Sequence, residues 1–367
     1  MSTSKRSRPA AQPTGPAARP RRRAPKAPFI IGELEVMPGR TMAGEIEIPR
    51  LVTGTRVSLP LRVFHGRTAG PTVFVSSSVH GDEILGVEII RRVAASLSAR
   101  SLHGTVVFVP IVNVHGFLTG DRYLPDRRDL NRSFPGSANG SLASRIADAF
   151  LREVVARCDV GIDLHTGSDH RTNLPQVRCD LDDPFTRELA DAFNPPVMLS
   201  SSLRKGSLRA EANQVGATIL LYEGGEALRF DGTAITVGVG GIMRVLHHLG
   251  MTPAVDPPPP TGMIALDGAT ADRPLVATRS SWVRARRSGI GLLEVGLGDM
   301  VDKGQQMGLI HDSLGTRLSR ITAPFAGLVI GHTQHPLVHQ GSALVHLAAV
   351  DPSPPPPTDQ SAVTETA

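Results

Sequence analysis

Residues His80-Gly81-Asp82-Glu83 place an imidazole and a carboxylate three positions apart. A single turn of chain aims both at one point. A catalytic zinc ion takes three protein ligands and leaves a fourth position for water. His165, in Asp163-Leu164-His165-Thr166-Gly167, supplies the third. Either histidine alone reads as a satisfied polar residue at a strand end. Taken together, His80, Glu83 and His165 form a common catalytic zinc set, with one ion expected per subunit. Asp163 lies two positions before His165 and so points to the same strand face. It either holds the His165 ring or makes an ordinary structural hydrogen bond.

A second group follows: Asn113, Arg122 and the run Asp129-Leu130-Asn131-Arg132-Ser133-Phe134-Pro135-Gly136. Arginine forks bind carboxylates and polarise carbonyls in dry sites. Asp126, Arg127 and Arg128 read as a solvated charged loop. Arg122, Asn131 and Arg132, nearer the turn-forming Gly and Pro residues, read as the working groups. The third group is Tyr222-Glu223-Gly224-Gly225-Glu226. A carboxylate at a strand tip, freed by glycines, suits a base that takes a proton from zinc-bound water. Either glutamate also suits a plain surface position, and the strand tip favours Glu223.

Each motif needs an element to carry it. Residues 72–79 form a strand that runs into His80, and 84–97 carry a helical stripe behind Glu83. Residues 105–112 form a buried-type strand. Ser141 caps a helix predicted to run through 157. Residues 160–164 form a strand ending at His165, and 217–222 one ending at Glu223. Helices are predicted at 184–193 and 239–249. Residues 57–64 alternate as a half-buried strand, which Pro60 marks as an edge strand. Strands alternating with helices imply an α/β fold with a largely parallel sheet. Residues 283–348 differ. Six short strand-like runs punctuated by glycine predict a small all-β barrel or sandwich.

Composition sets the boundaries and the exclusions. The chain has 367 residues and a formal charge of +5. Eight basic residues and no acids lie in 1–28, and three acids and no bases in 351–367, so the body between is neutral. Nucleic acid is therefore not an expected partner of the fold. The proline-rich ends, 1–28 and 351–367, are expected to be disordered tails. The proline run in 253–262 is expected to link a catalytic domain, 29–252, to a β domain, 263–350. No apolar run reaches the length of a membrane span, and residues 1–28 lack the apolar core of a secretory signal. With two cysteines, a disulfide framework is not expected, and a cytoplasmic setting is.

His80-Gly81-Asp82-Glu83, Asp129-Leu130-Asn131-Arg132, Asp163-Leu164-His165 and Glu223-Gly224-Gly225 stand in the order of the succinylglutamate desuccinylase/aspartoacylase family, a branch of the zinc carboxypeptidase clan. The resemblance spans residues 50–350. It implies a three-layer α/β/α zinc-carboxypeptidase-like domain with a mixed sheet, plus a C-terminal all-β barrel-sandwich domain. It implies that His80, Glu83 and His165 bind zinc, that Arg122 polarises the scissile carbonyl and that Asn131 and Arg132 hold a substrate carboxylate. Glu223 is then the general base and afterwards the acid. Arg209 is the nearest match to an arginine that contacts the substrate side chain in aspartoacylases, against a structural role. The implied function is a deacylase that hydrolyses the amide of an N-acyl amino acid or similar small N-acyl compound. The alternatives are a zinc carboxypeptidase acting on short peptides and a non-catalytic binding protein that works through its β domain. Residues 298–305 and 322–327 resemble biotinyl/lipoyl carrier domains, but 311–315 hold no lysine to modify. The β domain is expected to shape the mouth of the site or to assemble a homo-oligomer. His332, His335 and His339 pose a second metal cluster against ordinary surface histidines, and the latter reading is favoured.

Overall fold

A computed structural model describes residues 26–48, 50, 53–168, 170–253 and 273–350. Most of both tails and of the proline linker lie outside the described residues.

The strands in chain order are β1 (Phe29–Ile31), β2 (Leu34–Val36), β3 (Arg40–Ile48), β4 (Val57–His65), β5 (Thr68–Ser77), β6 (His103–Val109), β7 (Val160–Gly167), β8 (Arg171–Cys179), β9 (Val197–Ser200) and β10 (Thr218–Glu226). The later ones are β11 (Leu275–Arg284), β12 (Gly289–Leu293), β13 (Met300–Val301), β14 (Gln306–His311), β15 (Arg317–Thr322), β16 (Gly327–Thr333), β17 (Leu337–Val338) and β18 (Ala343–Val350). The helices are α1 (Leu85–Ser96), α2 (Val114–Thr119), α3 (Leu142–Glu153), α4 (Pro184–Phe193), α5 (Leu208–Gln214) and α6 (Gly232–His248).

One sheet runs β13-β16-β18-β11-β9-β8-β10-β7-β5-β6-β4-β3. It is mixed. Strands β10, β7, β5 and β6 are mutually parallel, whereas β4, β3 and β8 run antiparallel to their neighbours in this part of the sheet. Successive side chains of a strand point to opposite faces, and β5 shows the consequence. Val73 and Val75 face a core shared with α1, α4 and α6, while Phe74 faces one shared with α3 and α5. The central strands are therefore buried on both sides, which explains their near-continuous apolar runs.

The helix limits follow local chemistry. Ser141 accepts from the Ser144 amide and starts α3, as expected, but the helix ends at Glu153 and a separate 3-10 turn, Val155–Arg157, follows. Asp231 accepts from the Ala234 amide and starts α6 seven residues before the predicted onset. The prediction missed this start because the first turns of α6 are rich in glycine and β-branched residues, which are poor helix formers.

The edge-strand expectation for β4 needs correction. β4 lies between β6 and β3. Its pairing with β6 covers only Arg62 to His65, so Pro60 lies beyond that ladder and breaks none of its rungs.

The described residues after the proline run, 273–350, are all-β, but they are not set apart from the sheet. β11 pairs with β9, and β16 pairs with β8. A second, four-stranded sheet, β15-β14-β12-β17, covers the end of the large one, and Met307, Ile310, Val329, Val345 and Leu347 fill the space between them. No helix of the described residues is long and apolar enough to cross a membrane.

Candidate active site

Three adjacent parallel strands, β5, β7 and β10, end at one edge of the sheet. The C-terminal edge of such strands is where open α/β sheets place ligands. His80 follows β5, His165 lies near the end of β7, and Glu223 stands opposite His165 in the β10–β7 register. Past β5 the chain turns through Ser78, whose φ is +52°. The Glu83 amide then bonds to the His80 carbonyl at 3.1 Å, closing the turn that brings both side chains together. Gly81 is required there. A Cβ on it would lie 2.0 Å from the Gly116 carbonyl carbon and 2.3 Å from the Phe117 nitrogen.

One ligand atom from each of His80, Glu83 and His165 lies within 4.8 Å of the others, and all three residues are buried. Glu83 accepts from His80 Nδ1 at 2.8 Å, from His165 Nδ1 at 2.6 Å and from the Thr166 amide at 3.2 Å. His165 Nε2 donates to Asp163 Oδ2 at 2.8 Å, and Asp163 Oδ1 accepts from Ser76 Oγ at 2.7 Å. The choice left open for Asp163 is thus settled: its carboxylate holds the His165 ring. His80 Nε2 donates to Asp129 Oδ1 at 3.2 Å.

Burial opposes charge on every member of this group, and the neighbours outweigh it. Glu83 is held well below the usual carboxylate range by His80 and His165. His165 rises well above the usual imidazole value because Asp163 and Glu83 flank it, and His80 rises because of Glu83 and Asp129. Asp82, buried beside Glu83, is pushed up to about 6.

Arg122 reaches the group from its loop. It donates to Ser168 Oγ at 2.7 Å and to Asp129 Oδ2 at 3.0 Å, and lies 3.4 Å from Glu83 Oε1. Asn113 starts α2 by accepting from the Gly116 amide, and it donates to the Arg122 carbonyl at 3.2 Å. Asn131 is buried, and its Oδ1 accepts from the Leu208 amide at 2.9 Å, tying this loop to the start of α5. Arg132 bonds to the Asn131 carbonyl. Arg209 donates to Ser201 Oγ at 3.0 Å and to the Ser202 carbonyl at 2.9 Å, while its Nη1 is buried without a partner. Arg127 and Arg128 are exposed, as expected. Asp126 is not merely solvated: it accepts from the Ala143 amide at the start of α3.

One cavity of about 590 Å³ collects the residues singled out from the sequence. His80, Glu83, His165, Arg122, Asn131, Arg132, Arg209 and Glu223 all line it. His332, His335 and His339 join no comparable group among the described residues.

Sequence reasoning missed β8. Pro175 interrupts its run and hides the strand signal. Two of its residues hold the proposed base: Asn173 Nδ2 donates to Glu223 Oε2 at 2.7 Å, and Arg178 Nη1 lies 3.5 Å from Glu223 Oε1. Ser168, which donates to Glu83, and Trp282 of β11 also line the cavity. No local pattern ties Trp282 to residues more than a hundred positions away. It arrives by sheet pairing and stacks on His346 with ring centroids 4.7 Å apart.

Comparison with known proteins shows the family. Residues 69–249 match the family model of the succinylglutamate desuccinylase/aspartoacylase catalytic domain. The chain is 30% identical over 264 residues to N-alpha-acetyl-L-2,4-diaminobutyric acid deacetylase of Halomonas elongata, covering 70% of this chain and 75% of that one. A succinylglutamate desuccinylase/aspartoacylase structure from Rhodobacter sphaeroides superposes with a TM-score of 0.74 at 26% identity, covering 85% of this chain and 96% of that one. The product-bound ectoine utilization protein of Ruegeria pomeroyi gives a TM-score of 0.74 at 24% identity, covering 89% and 98%. The chain belongs to the succinylglutamate desuccinylase/aspartoacylase family.

Proposed function

We propose that this protein is a zinc-dependent deacylase that hydrolyses the amide bond of an N-acyl amino acid or a similar small N-acyl compound. The observation that carries the reading is the single cavity that unites a buried His-Glu-His group, an arginine beside it and a carboxylate on the adjacent strand. The name of the Halomonas elongata relative, a deacetylase of an N-acetylated diamino acid, supports the reaction class.

The donor set fits zinc. Two imidazole nitrogens and one carboxylate are typical of catalytic sites, and the Asp163 bond at His165 Nε2 leaves Nδ1 directed at the group. When bound there, zinc acidifies water and polarises a carbonyl. Glu223 takes the proton of the attacking water and returns it to the departing amine. Arg122, whose donors already point at the group, bonds to the carbonyl oxygen as negative charge grows on it. Asn131 and Arg132 bind a substrate carboxylate, and Arg209, with its free buried Nη1, takes a further acceptor.

We also read the helices on both faces of the sheet as the three-layer zinc-carboxypeptidase-like arrangement, and residues 263–350 as its barrel-sandwich addition. Two buried free cysteines suit a reducing cytoplasm.

Glu223→Gln tests the mechanism. Zinc content should match the parent protein while turnover falls at least about a hundredfold. Undiminished turnover would reject Glu223 as the base. The substrate panel should include N-acetyl and N-succinyl amino acids, dipeptides and simple esters. Faster cleavage of dipeptides would favour a carboxypeptidase.

A further inference from the structure

We propose that Asn173 is the positioning residue for Glu223, and that Gly331, in the C-terminal β region, keeps Asn173 in place. This inference rests on the reading of Glu223 as the base.

A general base works only if its carboxylate is aimed at the proton it removes. Glu223 is bound on both oxygens, and both partners come from β8. Asn173 donates to Oε2 at 2.7 Å, and Arg178 lies 3.5 Å from Oε1. In a regular strand, residues five apart point to opposite faces. The register explains how both reach one carboxylate. Glu223 pairs with Gln176 and Gly225 with Asn173, so three steps on β8 span two on β10. This bulge turns Asn173 back toward Glu223. Arg178 also donates to Gln176 and is half-buried, whereas Asn173 is buried and makes the shorter bond. Asn173 is therefore the firmer hold.

The far side of Asn173 rests on β16. Gly331 pairs with Asn173 in one direction and with His346 of β18 in the other. A Cβ on Gly331 would lie 2.8 Å from Asn173 Oδ1, 3.3 Å from the Thr172 carbonyl oxygen and 3.4 Å from His346 Cβ. The Gly331 backbone is not in the left-handed region, so space rather than conformation calls for glycine. The side-chain amide of Asn173 is thus held between a bare backbone and the carboxylate. Three segments distant in sequence, β16, β8 and β10, meet at this one contact. It gives the C-terminal strands a part in catalysis without touching substrate.

The test uses full-length, zinc-loaded protein and the best-cleaved member of a panel containing N-acetyl-L-2,4-diaminobutyrate and N-succinyl-L-glutamate. Asn173→Ala should lower kcat by about 10- to 100-fold, leave KM within about twofold and leave zinc content and Tm at parent values. Gly331→Ala should lower kcat in the parent background and have no further effect on kcat in Asn173→Ala, because the two act through one contact. Independent, multiplying losses would overturn the link to Gly331. An unchanged kcat in Asn173→Ala would overturn the positioning role, provided that Glu223→Gln is inactive. If Glu223→Gln is active, the base assignment itself falls. A crystal structure of Asn173→Ala decides the matter without a substrate. Glu223 displaced from its present position supports the proposal, and Glu223 unmoved overturns it.

Discussion

Two imidazoles and a carboxylate buried within 4.8 Å are costly to hold unless each is oriented and compensated. Here the compensation is explicit. Asp163 fixes the His165 ring, Ser76 fixes Asp163, and Asp129 takes up the outer nitrogen of His80 and Nη2 of Arg122. Ligand and support should therefore separate in experiment. His165→Ala should abolish stoichiometric zinc by metal analysis after dialysis. Asp163→Asn should retain a site weakened by about 10- to 100-fold in a chelator competition, since it removes the support and leaves the ligand. Equal loss in the two variants would assign Asp163 a ligand's role. The candidate site was legible in the sequence because His80, His165 and Glu223 all follow apolar runs and Glu83 lies one turn beyond His80. The partner Ser76 was not, because it carries no spacing signal, and Asp129 was seen only as part of its motif, without its bonds to His80 and Arg122.

At the scale of elements, the site depends on how closely the loop after β5 approaches α2. Gly81 lies against Gly116 and Phe117 with no room for a side chain. Gly81→Ala must push α2 outward or twist the turn that joins His80 to Glu83. Both zinc occupancy and thermal midpoint should fall, with a stability loss of about 1–3 kcal/mol by denaturant titration. An unchanged midpoint and full zinc would show that the turn yields freely. A second consequence lies in β18. His346 is buried between Trp282 and Ser280, and burial together with Arg178 drives its pKa down to about 3. Between the ordinary value of 6.5 and about 3, the unfolded chain binds a proton that the folded chain refuses. Stability should fall as pH drops through that window, by up to ~1.4 kcal/mol per pH unit from this group. His346→Phe should lose less stability than the parent between pH 7 and pH 5 in urea titrations. An identical acid loss would place the sensitivity elsewhere.

For the whole molecule, the proline run at 253–260 does not divide the hydrogen-bonded structure. β9 and β8 each accept a strand from beyond it, and Leu174, Val197 and Leu199 share a core with Ala277, Leu328, Ile330 and Ala348. The N-terminal part of the sheet thus has its β9 edge covered by the C-terminal strands, and edge coverage is what keeps such a strand from pairing elsewhere. Trp282 joins the cavity wall by the same route. The cavity carries several arginines although the body of the chain is electrically neutral, so its local charge is set by folding rather than by composition.

The sequence by itself determined much of the alternation of strands and helices, the strands that lead to His80, His165 and Glu223 (though β7 and β10 run on past the last two), and the all-β character of the described residues 273–350. Those features follow from local periodicity and capping, which need no long-range partner. Only the tertiary structure decided that β4 lies inside the sheet, that β8 stands beside β10, and that β11 and β16 extend the sheet to supply Trp282 and Gly331. Strand pairing joins segments up to about 160 residues apart, and which strands pair depends on shared burial and register rather than on any pattern within either strand.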